Sequence, residues 1–204
     1  MAFTFFFRDR DSLELAADHL IPLVSGRSRI RIWDAGCATG HEPYTVAILL
    51  AERMTTFGFR NVRIHATDHD EPLLRVLKRG IYPLEELKRL PEGAFEKYFS
   101  SIGSDGEYKV IDKIREALVP MVHDLLCLKP PAERFSLVVC KNVLLHLSPG
   151  QRIEVIRMFH RSLEPRGLLV MEHTQNMPEN LSSLFQKAGA TGQLYRKSES
   201  SCNH

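Results

Sequence analysis

Apolar and polar residues in the first part of the chain follow a pattern that predicts a helix, a strand and a second helix. Residues 11–23 carry apolar side chains at helical spacing and end before Gly26. Residues 30–33 form a short run typical of a strand, and a turn with two glycines separates it from a second helical pattern over 44–54. This order predicts the first half of a unit in which parallel strands alternate with helices.

The same alternation returns twice further along the chain. A strand with apolar residues at alternate positions leads to Thr67 and Asp68, and a later strand is apolar throughout. These repeats predict an α/β fold with a doubly wound, mainly parallel, Rossmann-like sheet. The further predicted elements are strands at 62–66, 135–140 and 168–171 and helices at 71–79 and 149–163.

One segment interrupts the alternation and predicts a small antiparallel insertion. Asp105 and Gly106 form a hairpin signal between two short runs, Tyr98-Phe99 and residues 108–110. We assign residues 95–122 to this inserted β-subdomain. A chain of 204 residues is long enough for one domain but scarcely for two, so residues 1–204 are predicted to form a single domain.

Composition matters mainly for the classes of protein that it disfavours. The formal net charge is only +2, which gives no indication of a nucleic-acid partner. No apolar run approaches the roughly 18 residues of a membrane-spanning helix, and charged residues directly follow the short aromatic run at 3–7. We therefore expect a cytoplasmic protein without membrane insertion. No metal site is expected, because no zinc spacing or C-x-x-C pair occurs among the cysteines, which are Cys37, Cys127, Cys140 and Cys202.

The turn from Gly36 to Gly40 follows the first predicted strand, where open parallel sheets bind their ligands. A dinucleotide-binding G-x-G-x-x-G motif would need glycines at the positions of Ala38 and His41, so that fingerprint is absent. Asp34, two residues before the first glycine, suits a ligand that carries an ammonium group and no pyrophosphate. The amino-acid end of S-adenosylmethionine is such a ligand.

Asp68 ends the second predicted strand and can accept hydrogen bonds from both hydroxyl groups of a ribose. Charge-assisted hydrogen bonds of this kind contribute about 1.5–3 kcal/mol each. Capping of the following turn is the alternative role for Asp34 and for Asp68. Their occurrence at successive strand ends favours a shared binding site.

Five segments of the chain resemble signature motifs of the CheR family of chemotaxis receptor methyltransferases. The block WDAGCATGHEPY at 33–44 joins the glycine turn to an uncommon Glu-Pro-Tyr helix start. The order and spacing of the segments agree along nearly the whole chain. They are Thr4 to Arg8, Trp33 to Tyr44, Ala66 to Asp68, Phe135 to Val143 and Leu163 to Leu169.

The resemblance implies a class I S-adenosylmethionine-dependent methyltransferase that esterifies a glutamate side chain of a protein and leaves S-adenosylhomocysteine as product. The acceptor would be a chemoreceptor or a related signalling protein. The family's N-terminal helical domain, which precedes the T-x-F-F-R segment, is expected to be missing. Two alternatives remain open: a methyltransferase with a different acceptor, and a degenerate signalling module that binds the cofactor or its product.

The resemblance also implies roles for individual residues. Gly36, Ala38 and Glu42 would line the methionine and ribose portions of the cofactor, and Asn142 would lie beside the sulfonium. Asp124 and Leu125 would flank the adenine. The full set of predicted cofactor-binding residues is Asp34, Gly36, Ala38, Gly40, Glu42, Asp68, Asp124, Leu125, Lys141 and Asn142.

Arg8 and His146 are the predicted catalytic residues. A guanidinium group can orient an acceptor carboxylate, so Arg8 is assigned to the acceptor, with a surface salt bridge to Asp9 or Asp11 as the alternative. His146 stands where the family places a tyrosine near the transferred methyl group. It would keep a polar contact there or act as a weak base, and the alternative is an imidazole that only fills the space. His41 and Lys141 also depart from the family, which has Glu and Arg at those positions.

Overall fold

The computed structural model describes residues 4–189 and 192–199. Short 3₁₀ turns lie at Leu125–Cys127, Leu144–His146 and Glu179–Leu181. The helices are α1 (Arg10–Val24), α2 (His41–Arg53), α3 (Thr56–Arg60), α4 (Glu71–Arg79), α5 (Leu84–Leu87), α6 (Ala94–Tyr98), α7 (Asp112–Arg115) and α8 (Pro149–Ser162). The strands are β1 (Ile30–Ala35), β2 (Val62–Asp68), β3 (Ile81–Pro83), β4 (Phe99–Ile102), β5 (Glu107–Val110), β6 (Leu118–Val122), β7 (Phe135–Cys140), β8 (Leu163–Met171), β9 (Phe185–Lys187) and β10 (Leu194–Lys197).

Within the described ranges, seven strands form one large sheet in the order β6-β2-β1-β7-β8-β10-β9. The strands from β6 to β8 run parallel, with Ile32 opposite Ile64 on one side and opposite Leu137 on the other. The last two strands of the order are antiparallel to their neighbours. The predicted α/β fold with a mainly parallel, Rossmann-like sheet is therefore confirmed.

The hydrophobic core lies on both faces of the large sheet. Ile32 belongs to a cluster with residues of α1, α2 and α4, whereas Trp33 belongs to a second cluster with residues of α8. Successive side chains of a strand point to opposite faces, which explains why these neighbours enter different clusters. Helices cover both faces, as a parallel sheet buried on both sides requires.

The small sheet is antiparallel, in the order β3-β5-β4, and contains the predicted hairpin with Asp105 and Gly106 at its turn. Its bounds differ from the predicted insertion at 95–122. Strand β3, at 81–83, joins the small sheet ahead of residue 95. Strand β6 pairs with β2 as the edge of the large sheet, so residues 118–122 belong there. The organisation of 1–204 as one domain stays a prediction.

Strand β8 begins at Leu163, five residues before the start predicted at 168. Pro165 restricts the residue before it to extended backbone, which ends α8 and lets Leu163 pair with Phe135. Cys37, Cys127 and Cys140 are free thiols, and Cys202 lies outside the described residues. None of the helices in the described ranges has the length and apolarity needed to cross a membrane.

Candidate active site

A cavity of about 570 Å³ opens at the carboxyl ends of β1, β2 and β7. Its volume falls within the roughly 300–1,000 Å³ of small-molecule sites. The structure brings all the predicted site residues to its wall except Asp34 and Gly40. Those in the wall are Arg8, Gly36, Ala38, Glu42, Asp68, Asp124, Leu125, Lys141, Asn142 and His146.

The glycine turn begins with two backbone hydrogen bonds to the neighbouring strand. The amides of Gly36 and Cys37 both donate to the carbonyl oxygen of Thr67, at 2.8 and 2.9 Å. Gly36 has φ +95, and a Cβ atom built there would lie 2.2 Å from Cγ2 of Val143. Glycine is therefore required at 36, because any side chain would collide with the segment after β7.

Gly40 shapes the turn without forming the cavity wall. It precedes α2 with φ +98, and a Cβ atom there would approach the side chain of Leu77 to 2.7 Å. This close packing brings α2 against α4 and aims the start of α2 at the cavity. Gly40 was predicted to bind the cofactor, but it does not line the cavity and would influence binding only through the shape of the turn.

The carboxylate of Asp68 joins the glycine turn to the end of β2. One oxygen accepts a hydrogen bond from the amide of Ala38 at 2.9 Å, and the other accepts one from the amide of Asp70 at 3.0 Å. Asp68 therefore caps the turn after β2 and lines the cavity at the same time. A carboxylate has about four acceptor positions, so capacity remains for ligand hydroxyl groups. Its contact with a ribose stays a prediction.

Asp34 lies behind the cavity wall and is fully buried. Among the described residues, neither of its carboxyl oxygens has a hydrogen-bond partner. Burial, reinforced by the nearby carboxylates of Glu42 and Asp68, raises the pKa of Asp34 well above its ordinary value. Three carboxyl groups thus converge at one end of the cavity, an arrangement that fits a ligand with positive charge. Direct contact between Asp34 and an ammonium group stays a prediction.

Glu42, in the first turn of α2, is the acid of this group that borders both the cavity and the basic residues. Burial raises its pKa to about 7, and the nearby Lys141 ammonium opposes that rise. Asp9 and Glu172 raise the pKa of Glu42 further. The charge of this side chain therefore changes within the neutral pH range.

The segment 4–9 covers one side of the cavity. Phe6 is fully buried, with its ring 4.6 Å from the ring of His41 and 5.0 Å from that of Tyr82 between centroids. The amide of Phe7 donates to Oγ1 of Thr45 at 3.0 Å. These contacts hold the segment against α2 and the small sheet and bring Arg8 to the cavity wall.

Arg8 and Lys141 occupy the side of the cavity at the end of β7. Nη2 of Arg8 donates to Oδ1 of Asn142 at 3.1 Å. Nζ of Lys141 forms an ion pair with Oδ2 of Asp9 at 3.0 Å, and the Lys141 side chain is fully buried. Asn142 itself has φ +59, a left-handed conformation that asparagine tolerates better than most residues.

The remaining predicted residues lie on two short turns. Asp124 accepts a hydrogen bond from the amide of Leu126 at 2.8 Å and so begins the turn that carries Leu125. His146 is exposed at the rim, at the end of its own 3₁₀ turn. Both turns follow strands of the large sheet, β6 and β7, although residues 118–122 had been assigned to the inserted subdomain from the sequence.

Several wall residues were not predicted from the sequence. Most are immediate neighbours of predicted ones at strand ends, a signal that could have identified them. Thr4 and Phe5 belong to the motif from Thr4 to Arg8, which already supplied Arg8. Leu73 lacks any such signal, because only the folded chain brings α4 to the cavity. The complete set of unpredicted wall residues is Thr4, Phe5, Cys37, His69, Leu73, His123, Leu126, Val143 and Leu147.

Comparison with known proteins yields a consistent group of relatives. The family model described as CheR methyltransferase, SAM binding domain, matches residues 2–194. The chain is similar to chemotaxis protein methyltransferase 2 of Vibrio cholerae, with 31% identity over 188 residues, 89% of this chain and 64% of the relative. It is also similar to the chemotaxis protein methyltransferase of Escherichia coli, with 31% identity, 92% of this chain and 65% of the relative.

The chain thus spans slightly less than two thirds of these two relatives, 64% and 65% of their lengths. Among solved structures, it is similar to the DszA carbon methyltransferase, with a TM-score of 0.50 and 18% sequence identity. That likeness covers 80% of this chain and 35% of the other and concerns the fold.

Proposed function

Because the chain belongs to the CheR methyltransferase family, we propose that it transfers a methyl group from S-adenosylmethionine to a glutamate carboxylate of a protein. The matched region is the S-adenosylmethionine-binding domain of that family. One observation carries the proposal: acidic side chains and a guanidinium line the same cavity. Glu42 lies in the first turn of α2 and Asp68 at the end of β2, and Arg8 contacts Asn142, which follows β7.

The cluster of acidic residues suits the cofactor. Asp34, Glu42 and Asp68 converge there, and a positively charged ligand would relieve the cost of burying their carboxyl groups together. Asp68 would accept hydrogen bonds from the ribose hydroxyl groups while it keeps its hydrogen bond to the amide of Ala38. When bound, the cofactor supplies an activated methyl group.

The Arg8 side chain in the cavity wall suits the acceptor. The Arg8 guanidinium would orient a glutamate carboxylate and offset the desolvation that this anion suffers on entering the cavity. A carboxylate is already an anionic nucleophile, so the chain needs no general base. Its residues act by alignment and by exclusion of water, and His146 at the exposed rim would contribute contact with the acceptor.

The names of the relatives, chemotaxis protein methyltransferases, support an acceptor in chemotaxis signalling. We propose a chemoreceptor, or a related signalling protein with the same kind of glutamate segment, as the partner. Such a reaction uses the cytoplasmic cofactor pool and would place this protein in the cytoplasm.

The test uses cofactor labelled in the methyl group and the cytoplasmic fragment of a chemoreceptor from the same organism. The expected result is label that base releases as methanol, as a carboxyl ester requires. An Arg8→Ala variant should bind S-adenosylhomocysteine within about threefold of wild type and lose at least about 100-fold in turnover. Label that resists base would indicate another acceptor, and binding without transfer would indicate a signalling module.

A further inference from the structure

Two adjacent residues of the segment 4–9 contact two adjacent residues at the end of β7. Arg8 donates to Asn142, and Asp9 forms the ion pair with Lys141, at 3.1 and 3.0 Å respectively. The two dipeptides are far apart in the sequence, so the folded chain alone brings them together. The pairing ties the segment that carries Arg8 to the end of β7, which lies beside it in the cavity wall.

The described residues give the buried Lys141 ammonium group no hydrogen bond, and the ion pair with Asp9 at 3.0 Å is its close charge contact among them. Its side chain has no exposed surface, whereas 30% of the Asp9 side chain is exposed. A buried ammonium group without a carboxylate partner is strongly disfavoured, because it loses its hydration without replacement. Lys141 therefore holds Asp9, and with it the adjacent Arg8, close to the end of β7.

The backbone at Asp9 indicates the same tertiary role. Asp9 is the N-cap residue of α1, a position where aspartate normally accepts a hydrogen bond from the first turn of the helix. Here its side chain makes no such hydrogen bond, and its backbone is left-handed with φ +50. The carboxylate is directed to Lys141 instead of the helix. A favourable local interaction is thus replaced by a long-range contact.

We propose that Asp9 and Lys141 are positioning residues whose ion pair holds the Arg8 guanidinium at the cavity wall, in the orientation that receives the acceptor carboxylate. This role rests on the proposed function, since it assigns Arg8 to the acceptor. It gives Lys141 a part in acceptor alignment, beyond its predicted place among the cofactor-binding residues.

The surrounding charges separate this role from a general electrostatic one. Lys141 lowers the pKa of Glu42, whereas Asp9 and Glu172 raise it. Replacement of Asp9 by Asn and of Lys141 by Met should therefore shift the charge of Glu42 in opposite directions. Both replacements, however, break the same ion pair. An effect that has the same sign in both variants reports the loss of positioning.

The first experiment measures amide hydrogen exchange over residues 5–8 in the full chain without ligand. Asp9→Asn removes only the charge, because asparagine tolerates the left-handed conformation. We expect Asp9→Asn and Lys141→Met to speed exchange in this segment roughly tenfold, while Lys141→Arg keeps the ion pair and the slow exchange. Asp11→Asn, an exposed charge change two residues away, is the matched control and should leave exchange unchanged.

The second experiment compares affinity for S-adenosylhomocysteine, by calorimetry, with methyl transfer to the chemoreceptor fragment. Asp9→Asn should bind the nucleoside within about threefold of wild type and lose at least about tenfold in kcat/KM for the acceptor. Lys141→Arg, which keeps the ion pair, should retain the wild-type kcat/KM. Unchanged exchange in Asp9→Asn, or an equal loss of nucleoside affinity and turnover, would overturn the proposal. If the wild type transfers no methyl group, the proposed function fails, while the exchange experiment still decides whether the ion pair holds the segment.

Discussion

The hydroxyl group of Tyr82, in the small sheet, donates a hydrogen bond to the carbonyl oxygen of Thr39, in the glycine turn, at 2.7 Å. A second connection runs beside it. Nδ1 of His41 lies 2.9 Å from Oγ1 of Thr39, and Nε2 of the same ring lies 2.7 Å from a carboxylate oxygen of Glu86, in α5. The glycine turn is therefore supported by the small sheet and its adjoining helix as well as by the large sheet.

Tyr82→Phe should weaken cofactor binding although Tyr82 does not line the cavity. The ring stays in place, but the carbonyl oxygen of Thr39 loses its partner, which costs about 0.5–1.5 kcal/mol. Calorimetry with S-adenosylhomocysteine should show affinity reduced by about three- to tenfold. Tyr108→Phe is the matched control, because Tyr108 pairs with Tyr82 across the small sheet. Equal affinities in wild type and Tyr82→Phe would show that this support is dispensable.

Asp68→Ala should lower the affinity for S-adenosylhomocysteine by about 10- to 100-fold. The carboxylate provides acceptors for the ribose and holds the amide of Ala38. Asp68→Asn keeps one acceptor oxygen, so its loss should be smaller. Thermal unfolding without ligand is the control. It reports only the stability lost with the hydrogen bond to the Ala38 amide, because no ribose is present. If Asp68→Ala bound the nucleoside with wild-type affinity, the assignment of the ribose to Asp68 would be wrong.

Glu42 should make stability and cofactor binding depend on pH in opposite directions. Its pKa is raised from 4.5 to about 7 in the folded protein, so between these values the folded state holds more protons than the unfolded state. Stability of the free protein should therefore fall as pH rises through this window. Glu42→Gln should remove this part of the dependence, on the order of 1–3 kcal/mol in chemical denaturation at pH 8 relative to pH 5.

The ionised form of Glu42 should favour the ammonium group of the nucleoside. Affinity for S-adenosylhomocysteine in the wild type is expected to increase as pH rises through about 7. Glu42→Gln should flatten this profile. A profile that is the same in both proteins would assign the pH dependence to another group.

Gly36→Ala should destabilise the protein and impair cofactor binding, because the new methyl group would collide with Val143. The cost has two parts, the collision and the positive φ of residue 36. Val143→Ala in the same chain should relieve the first part only. We expect a loss of about 2–4 kcal/mol in Gly36→Ala, of which the double variant recovers part, measured by denaturant unfolding. Complete recovery would show that the backbone conformation has little cost.

Local patterns were sufficient for the elements whose residues carry their own signals. Helix α4 and strand β7 begin and end where the sequence predicts, since Gly80 stops the helix and a run that is apolar except for Ser136 marks the strand. The pairing of short strands was not predictable in the same way. Strand β3 has three residues, and only its contact with β5 defines it.

The candidate site likewise has residues that sequence position predicts and residues that only the folded chain brings together. Gly36 and Asp68 lie in the wall because strand ends of a parallel sheet meet at one edge, which sequence position reveals. The place of Asp34 behind the wall depends on which face its side chain takes within the first strand. The ion pair joins Asp9, directly after the first sequence motif, to Lys141 in the fourth, and no local pattern indicates it.

The burial of Phe6 has a consequence for exchanging modules between relatives. Its ring lies among His41 at the start of α2, Tyr82 of β3 and Phe99 of β4. A chimera that replaced residues 81–110 with the corresponding segment of a relative would import half of an aromatic interface without the other half. We expect such chimeras to fold well only when the relative's residues that correspond to the segment 4–9 are exchanged together with residues 81–110. The segment and the small sheet would then have to be exchanged as one unit.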